Sequence, residues 1–154
     1  MTNSGSPSKK RSWTITMKKI GPMKFEATLD KDHFPTFLFD EPPHAGGNDE
    51  APGATRYLVA AVLNCLSASL TFCLQKSRIP LDALDSEATC TIVRNEQGYW
   101  RIERIDAKLL PKWNDWKEKM EKALERCRNL FINYCIVSAS VKEGIEINVD
   151  VIRS

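Results

Sequence analysis

Hydrophobic and polar positions change rhythm several times along the chain. Between Trp13 and Asp40 they alternate. Trp13, Ile15 and Met17 stand between polar neighbours, and Phe25, Ala27 and Leu29 repeat the pattern. A period of two predicts half-buried antiparallel strands. Gly21-Pro22 and Asp30-Lys31-Asp32 supply the turns, and a third strand runs from about Thr36 to Asp40. The polar stretch 41–53, with its paired prolines and paired glycines, is long for a connection inside a compact domain, and such loops are often functional.

From Thr55 the alternation stops. Tyr57 to Leu74 is a run of eighteen residues without a charge, the threshold length for a membrane span. Asn64, Ser67, Ser69 and Thr71 would then need polar partners in hydrocarbon, and the rest of the chain is patterned like a water-soluble protein. A helix apolar on every side is also what a buried central helix looks like, and that reading is preferred. Its many Ala, Ser and Cys residues call for close packing, which a second copy of the same helix in a dimer would provide.

Ile79-Pro80-Leu81 closes this helix. Glu87–Asn95 and Tyr99–Leu109 read as a hairpin about an Asn95–Gly98 turn. Pro111 is expected to open a second helix. In it Trp113, Trp116, Met120, Ala123, Cys127, Leu130 and Tyr134 recur every three or four residues and form one core-facing stripe. After Lys142-Glu143-Gly144, alternating Ile145, Ile147, Val149 and Val151 predict a final strand. Residues 1–11 are small, polar and basic at their end, a flexible tail ahead of a single domain over 12–154. Grouped strands and helices, without strict alternation, indicate an α+β fold.

Composition removes several function classes. A chain of 154 residues can bury a full core without staples. Its 22 Lys+Arg and 20 Asp+Glu are interspersed, unlike the concentrated basic face of a nucleic-acid binder. No Gly-rich phosphate loop and no Ser-His-Asp set occur, and no cofactor is expected. His33 and His44 lie far from every cysteine in sequence and there is no C-x-x-C, so no metal site is expected. Five cysteines, an odd number, without an apolar leader segment, fit a reduced, cytoplasmic setting.

Those cysteines are the candidate chemistry. Taken singly, each is most simply a small core residue, and Cys73, Cys90 and Cys127 keep that reading. Cys65 and Cys135 stand apart by their surroundings. Gly53-Ala-Thr-Arg-Tyr-Leu-Val-Ala-Ala-Val-Leu-Asn-Cys-Leu66 resembles the central-helix motif of the OsmC/Ohr family, the osmotically inducible and organic hydroperoxide resistance proteins. Asn133-Tyr-Cys-Ile-Val-Ser-Ala-Ser140 resembles that family's second motif, a Cys-Pro-Val-Ser-like turn. The order of elements and the Gly46-Gly47 loop match as well, so the resemblance covers roughly residues 12–152.

The resemblance implies an intertwined homodimer whose antiparallel sheets wrap around two long central helices, with the two cysteines close together. By analogy with the peroxidase members, Cys65 would attack a hydroperoxide and become a sulfenic acid. Cys135 would condense with it to a disulfide, and a dithiol, lipoyl-type or other, would reduce that bond. The implied partners are a second copy, a hydroperoxide and a dithiol, with no nucleic acid and no membrane. Two departures stand out. The family's Glu ten residues before the first cysteine is Thr55 here, followed by Arg56, and residues 12–40 contain no Arg to pair with it. Ile136 replaces the proline of the second motif. Thr55 is similar to the OsmC-like redox branch, and Lys24 or Arg56 would have to supply the positive charge that activates Cys65. The alternative is an OsmC-like dimer that binds an apolar small molecule, its cysteines serving as packing.

Overall fold

The computed structural model describes residues 9–153, which form two compact units, one running to Arg56 and the other starting at Tyr57. Most of the expected tail lies outside the described residues. Lys9, Lys10 and Arg11 are exposed and without regular structure.

In the first unit, β1 (Thr16–Lys19), β2 (Phe25–Thr28) and β3 (Phe37–Phe39) form an antiparallel meander in sequence order. Ala27 on the central strand is buried and pairs with Met17 on one side and Phe37 on the other. The half-burial expected of the first strand is not found: Trp13, Ile15 and Met17 are exposed. Alternation specifies a strand, but burial needs a second layer, and this unit supplies none over β1.

The loop after β3 is organised by Asp40, which is buried and accepts N–H bonds from Glu41 (2.9 Å), Asn48 (3.2 Å) and Glu50 (3.1 Å). Burial pushes its carboxyl up, and the three backbone donors with nearby Lys24 overcome that and hold it below the usual range. Lys24 forms an ion pair with Glu50 across the same loop. Gly47 is required by close approach, since a Cβ there would sit 1.8 Å from the Glu41 carbonyl oxygen.

Helix α1 (Ala54–Lys76) matches the uncharged run. Only one stripe of it is buried, Val62, Leu66, Leu70 and Leu74, at a spacing of four. Phe72 and much of the remaining surface are exposed, so the all-round burial expected of it is not achieved within one chain. By length and composition α1 would also be long enough to cross a membrane. Ser67 and Thr71, however, find partners inside the chain. Ser67 Oγ donates to the Leu63 carbonyl (2.8 Å) and meets Ser86 Oγ on the hairpin at 2.9 Å, while Thr71 Oγ1 donates to the Ser67 carbonyl.

The hairpin is longer than its pattern: β4 (Ala83–Arg94) and β5 (Trp100–Lys112) pair throughout, around a turn with Gly98 at φ 82°. Pro111 lies inside β5 opposite Leu84 and opens no helix. A two-stranded sheet leaves each strand an open edge, where proline's missing donor is tolerated. A bulge on β5 at Glu103, between Thr91↔Arg104 and Ile92↔Ile102, re-aims the strand there. Trp113, expected on a helix, instead anchors the loop beyond β5, its indole N–H donating to the Pro80 carbonyl at 3.0 Å.

The expected second helix is divided. A 3-10 turn (Glu118–Met120) leads into α2 (Glu121–Leu130), a second 3-10 turn (Phe131–Tyr134) follows, and α3 (Ile136–Glu143) is an additional helix. Leu70, Leu74, Ile79, Leu124 and Cys127 form one core cluster, and Val62, Leu66 and Cys135 another, with Leu109 and Phe131 packed against both. The final strand is not formed. Residues 144–153 have no regular structure, and Ile145, Ile147, Val149 and Val151 are exposed. A strand exists only when an edge pairs with it, and neither edge of the hairpin takes this segment.

Candidate functional site: a pair of free cysteines

The spacing of four that buries Leu66 and Leu70 also puts Cys65, Ser69 and Cys73 in one half-buried row on α1. Cys135 is fully buried and occupies the N-cap of α3, where its sulfur accepts the Ser138 N–H at 3.4 Å. Cys65 packs against the cluster containing Cys135, close enough for each thiol to act on the other's acidity. Both are free thiols.

Their environments drive their acidities apart. For Cys135, burial acts to raise the thiol, but the bonds from Cys65, Ser138 and Ser69 outweigh it and bring the group below its ordinary value. The buried Ser138 hydroxyl has no ordinary partner of its own and faces this same sulfur. For Cys65 the balance is reversed: burial, then the neighbouring Cys135, push its thiol up, against N–H groups of Val137 and Ser138. The start of α3 thus favours the anionic form of Cys135 over that of Cys65. Because the two act on each other, the titration belongs to the pair.

This arrangement predicts a specific titration. With Cys90→Ser as background, ultraviolet thiolate absorbance should begin to rise below the ordinary cysteine value of about 8.5. In the Cys135→Ser chain that early rise should be absent. An early rise surviving Cys135→Ser would put the charge on Cys65.

Beside the pair lies a cavity of about 710 Å³, within the usual size for a small-molecule site. Val62, Leu66 and Ile105 give it apolar walls, Ser138 joins it to the cysteine site, and Arg104 and Lys142 are balanced by Glu103 and Glu143. The β5 bulge brings Ile102 through Ile105 together onto this wall. Arg104 also forms an ion pair with Asp106 at 2.8 Å. Arg104, Ser69 and Ser138 were not singled out by the sequence reading. The two serines have a legible signal all the same, at four residues after Cys65 and three after Cys135.

The remaining candidates fall elsewhere. Cys73 and Cys127 are not free packing residues: they are joined in a disulfide with Cα atoms 5.8 Å apart. That corrects the expectation of a wholly reduced chain. The row on α1 directs Cys73 toward α2, and the apolar stripe of α2 presents Cys127. Cys90 is free and half-buried on β4. Lys24 is committed to Glu50, and Thr55 and Arg56 are exposed at the start of α1, nine or more residues before Cys65. His33 and His44 are exposed, and among the described residues no group of three or more His, Cys, Asp or Glu is arranged to hold a metal ion.

Fold and site together define an α+β protein built on a long helix that carries one of two neighbouring free cysteines, with an apolar cavity alongside. The family model for OsmC-like proteins matches residues 46–150, and the chain belongs to the OsmC-like family. Solved structures agree in fold. An OsmC-like protein of unknown function from Vibrio cholerae is similar at 13% identity, TM-score 0.69, over 86% of this chain and 95% of its own. An organic hydroperoxide resistance protein from Elizabethkingia anophelis is similar at 18% identity, TM-score 0.61, over 90% and 94%. The organic hydroperoxide resistance protein OhrB of Bacillus subtilis is similar at 18% identity, TM-score 0.60, over 86% and 91%. No curated protein matches in sequence.

Proposed function

We propose that this OsmC-like protein is a cytoplasmic redox protein that reduces organic hydroperoxides with Cys65 and Cys135 and defends against oxidative stress. The observation that carries the reading is half-buried Cys65 packed in the cluster of buried Cys135, whose sulfur accepts the Ser138 N–H at the start of α3. Cys65 is the sulfur a peroxide can reach, and Cys135 is the base beside it. As Cys65 attacks the O–O bond its proton passes to Cys135, giving Cys65 sulfenic acid, the Cys135 thiol and an alkoxide that takes a proton from water and leaves as the alcohol. The Cys135 thiol then condenses with the sulfenic acid, forming a disulfide and releasing water. A small dithiol attacks the accessible Cys65 sulfur, and Cys135 leaves as the thiolate its surroundings favour. The base role of Cys135 takes the place of the activating Arg–Glu pair this chain lacks. The apolar cavity suits the organic part of the hydroperoxide.

Thiol counting before and after one equivalent of cumene hydroperoxide tests this. Two thiols per chain should disappear, and mass spectrometry should place the new bond between Cys65 and Cys135. If the count is unchanged while the cavity takes up apolar molecules, the binding alternative replaces catalysis.

The active species in this reading is a homodimer. The exposed apolar side of α1 and the unpaired alternating segment 145–152 are surfaces a second copy would cover. Light scattering should give about twice the chain mass of 17.5 kDa. A monomer would leave both surfaces unexplained.

A further inference from the structure

We propose that Cys73–Cys127 is a second dithiol–disulfide centre, which exchanges with a small dithiol through Cys73 and releases Cys127 as the leaving sulfur. The two sulfurs sit in unequal surroundings. Cys73 is half-buried on α1, whereas Cys127 is fully buried on α2, so an incoming thiolate reaches the Cys73 side. Ser77, one turn beyond Cys73, has its Oγ 3.5 Å from Cys127 Sγ. A disulfide sulfur carries no hydrogen, so the hydroxyl is the donor. Its oxygen in turn accepts a 2.9 Å bond from Arg126 Nη2.

The result is a chain from guanidinium to hydroxyl to sulfur. It ends on the atom where negative charge develops when the bond is broken from the Cys73 side. Hydrogen bonds in such a chain polarise one another, and a leaving thiol stabilised as thiolate departs faster. A cross-link serving rigidity alone has no need of a donor aimed at one of its sulfurs.

The centre is separate from the Cys65–Cys135 pair. Cys73 is eight residues beyond Cys65 on the same helix, about 12 Å along its axis at 1.5 Å per residue. That is too far for direct exchange between the pairs, so each takes up two electrons on its own. In the step itself, one thiolate of the dithiol bonds to Cys73 Sγ, the Cys73–Cys127 bond breaks, and Cys127 leaves as thiolate and takes a proton. The second thiol of the reagent, on deprotonation, closes on the mixed disulfide and expels the Cys73 thiolate, which is protonated. The chain gains two electrons and two protons, and the dithiol becomes a cyclic disulfide.

The test uses the full chain carrying Cys65→Ser, so that the Cys65–Cys135 bond cannot form and peroxidase activity plays no part. The protein is treated with dithiothreitol under native conditions, quenched by alkylation at intervals, and mapped by mass spectrometry. Cys73 and Cys127 should become alkylated together while the chain stays folded. Ser77→Ala and, separately, Arg126→Gln should slow this reduction by about three- to tenfold, the range expected for part of a hydrogen bond to a charged group. Cys127→Ser incubated with oxidised glutathione should give a mixed disulfide at Cys73. Should that variant fail to fold, the single-hydroxyl deletion Ser77→Ala still decides the matter. The proposal is overturned if the bond resists the dithiol until the chain unfolds, if Ser77→Ala and Arg126→Gln leave the rate unchanged, or if the purified chain holds both as thiols.

Discussion

Cys65→Ser is expected to abolish dithiol-dependent consumption of an organic hydroperoxide, bringing turnover to the uncatalysed background. The substitution removes the sulfur a peroxide can approach. Cys135 stays in place, but it is fully buried, so it does not substitute as nucleophile. Cys135→Ser should behave differently. The Cys65 thiol loses both its base and its resolving partner, so a first turnover proceeds slowly and stops at the sulfenic acid. A cysteine left near its ordinary value is only a few per cent thiolate at neutral pH. The first turnover should therefore be slower by roughly tenfold or more, the penalty of relying on that small fraction. Single-turnover kinetics, with a sulfenic-acid trap read by mass spectrometry, separate the two variants. Sustained turnover in Cys135→Ser would mean that another thiol resolves Cys65 and would remove Cys135 from the mechanism.

The pairing of Cys65 with Cys135 was approached in the sequence through the segments around them, whereas their electrostatics were not legible there. Sequence reasoning sought the activating charge on the cysteine's own helix start and in the early strands, at Arg56 and Lys24. The structure instead brings a different helix end to the sulfurs, that of α3. Its residues had been read as a turn because Ile136-Val-Ser-Ala-Ser-Val141 has too few periods to announce a helix. Elements bounded by clear turn residues were legible, whereas the long stripe from Trp113 to Tyr134 was not one helix. The three first strands, α1 and the hairpin follow from local periodicity and turn residues alone. Pro111 misled because proline marks both helix starts and open strand edges, and only the pairing with Leu84 decides between them. The alternation at 145–151 is genuine, but a strand also needs an available edge, which no local pattern records. The Cys73–Cys127 bond was hidden for a similar reason. Each cysteine sits on an apolar row that core packing explains equally well, and nothing in the spacing says that two rows 54 residues apart face one another.

Removing that bond should have the largest effect on stability. A cross-link over a sequence separation of 54 takes from the unfolded chain loop freedom worth about 4 kcal/mol in the chain-entropy treatment, and measured effects are commonly about 2–4 kcal/mol. The loss should fall hardest on α2. That helix has only ten residues, below the length at which an isolated helix holds in water, and within it only Leu124 and Cys127 are buried. Cys73→Ala combined with Cys127→Ala should thus lower the urea midpoint by an amount equivalent to about 2–4 kcal/mol. Excess dithiothreitol should bring the parent chain close to the variant while leaving the variant itself unchanged. Because the 3-10 turn after α2 leads directly to Cys135, loosening α2 should also raise amide exchange at Val137 and Ser138, whose N–H groups face the two sulfurs. Equal midpoints for the parent chain with and without reductant would show that the bond does not form in solution. A fall in midpoint without any change at Val137 and Ser138 would mean that the bond clamps α2 to α1 without supporting the Cys65–Cys135 site.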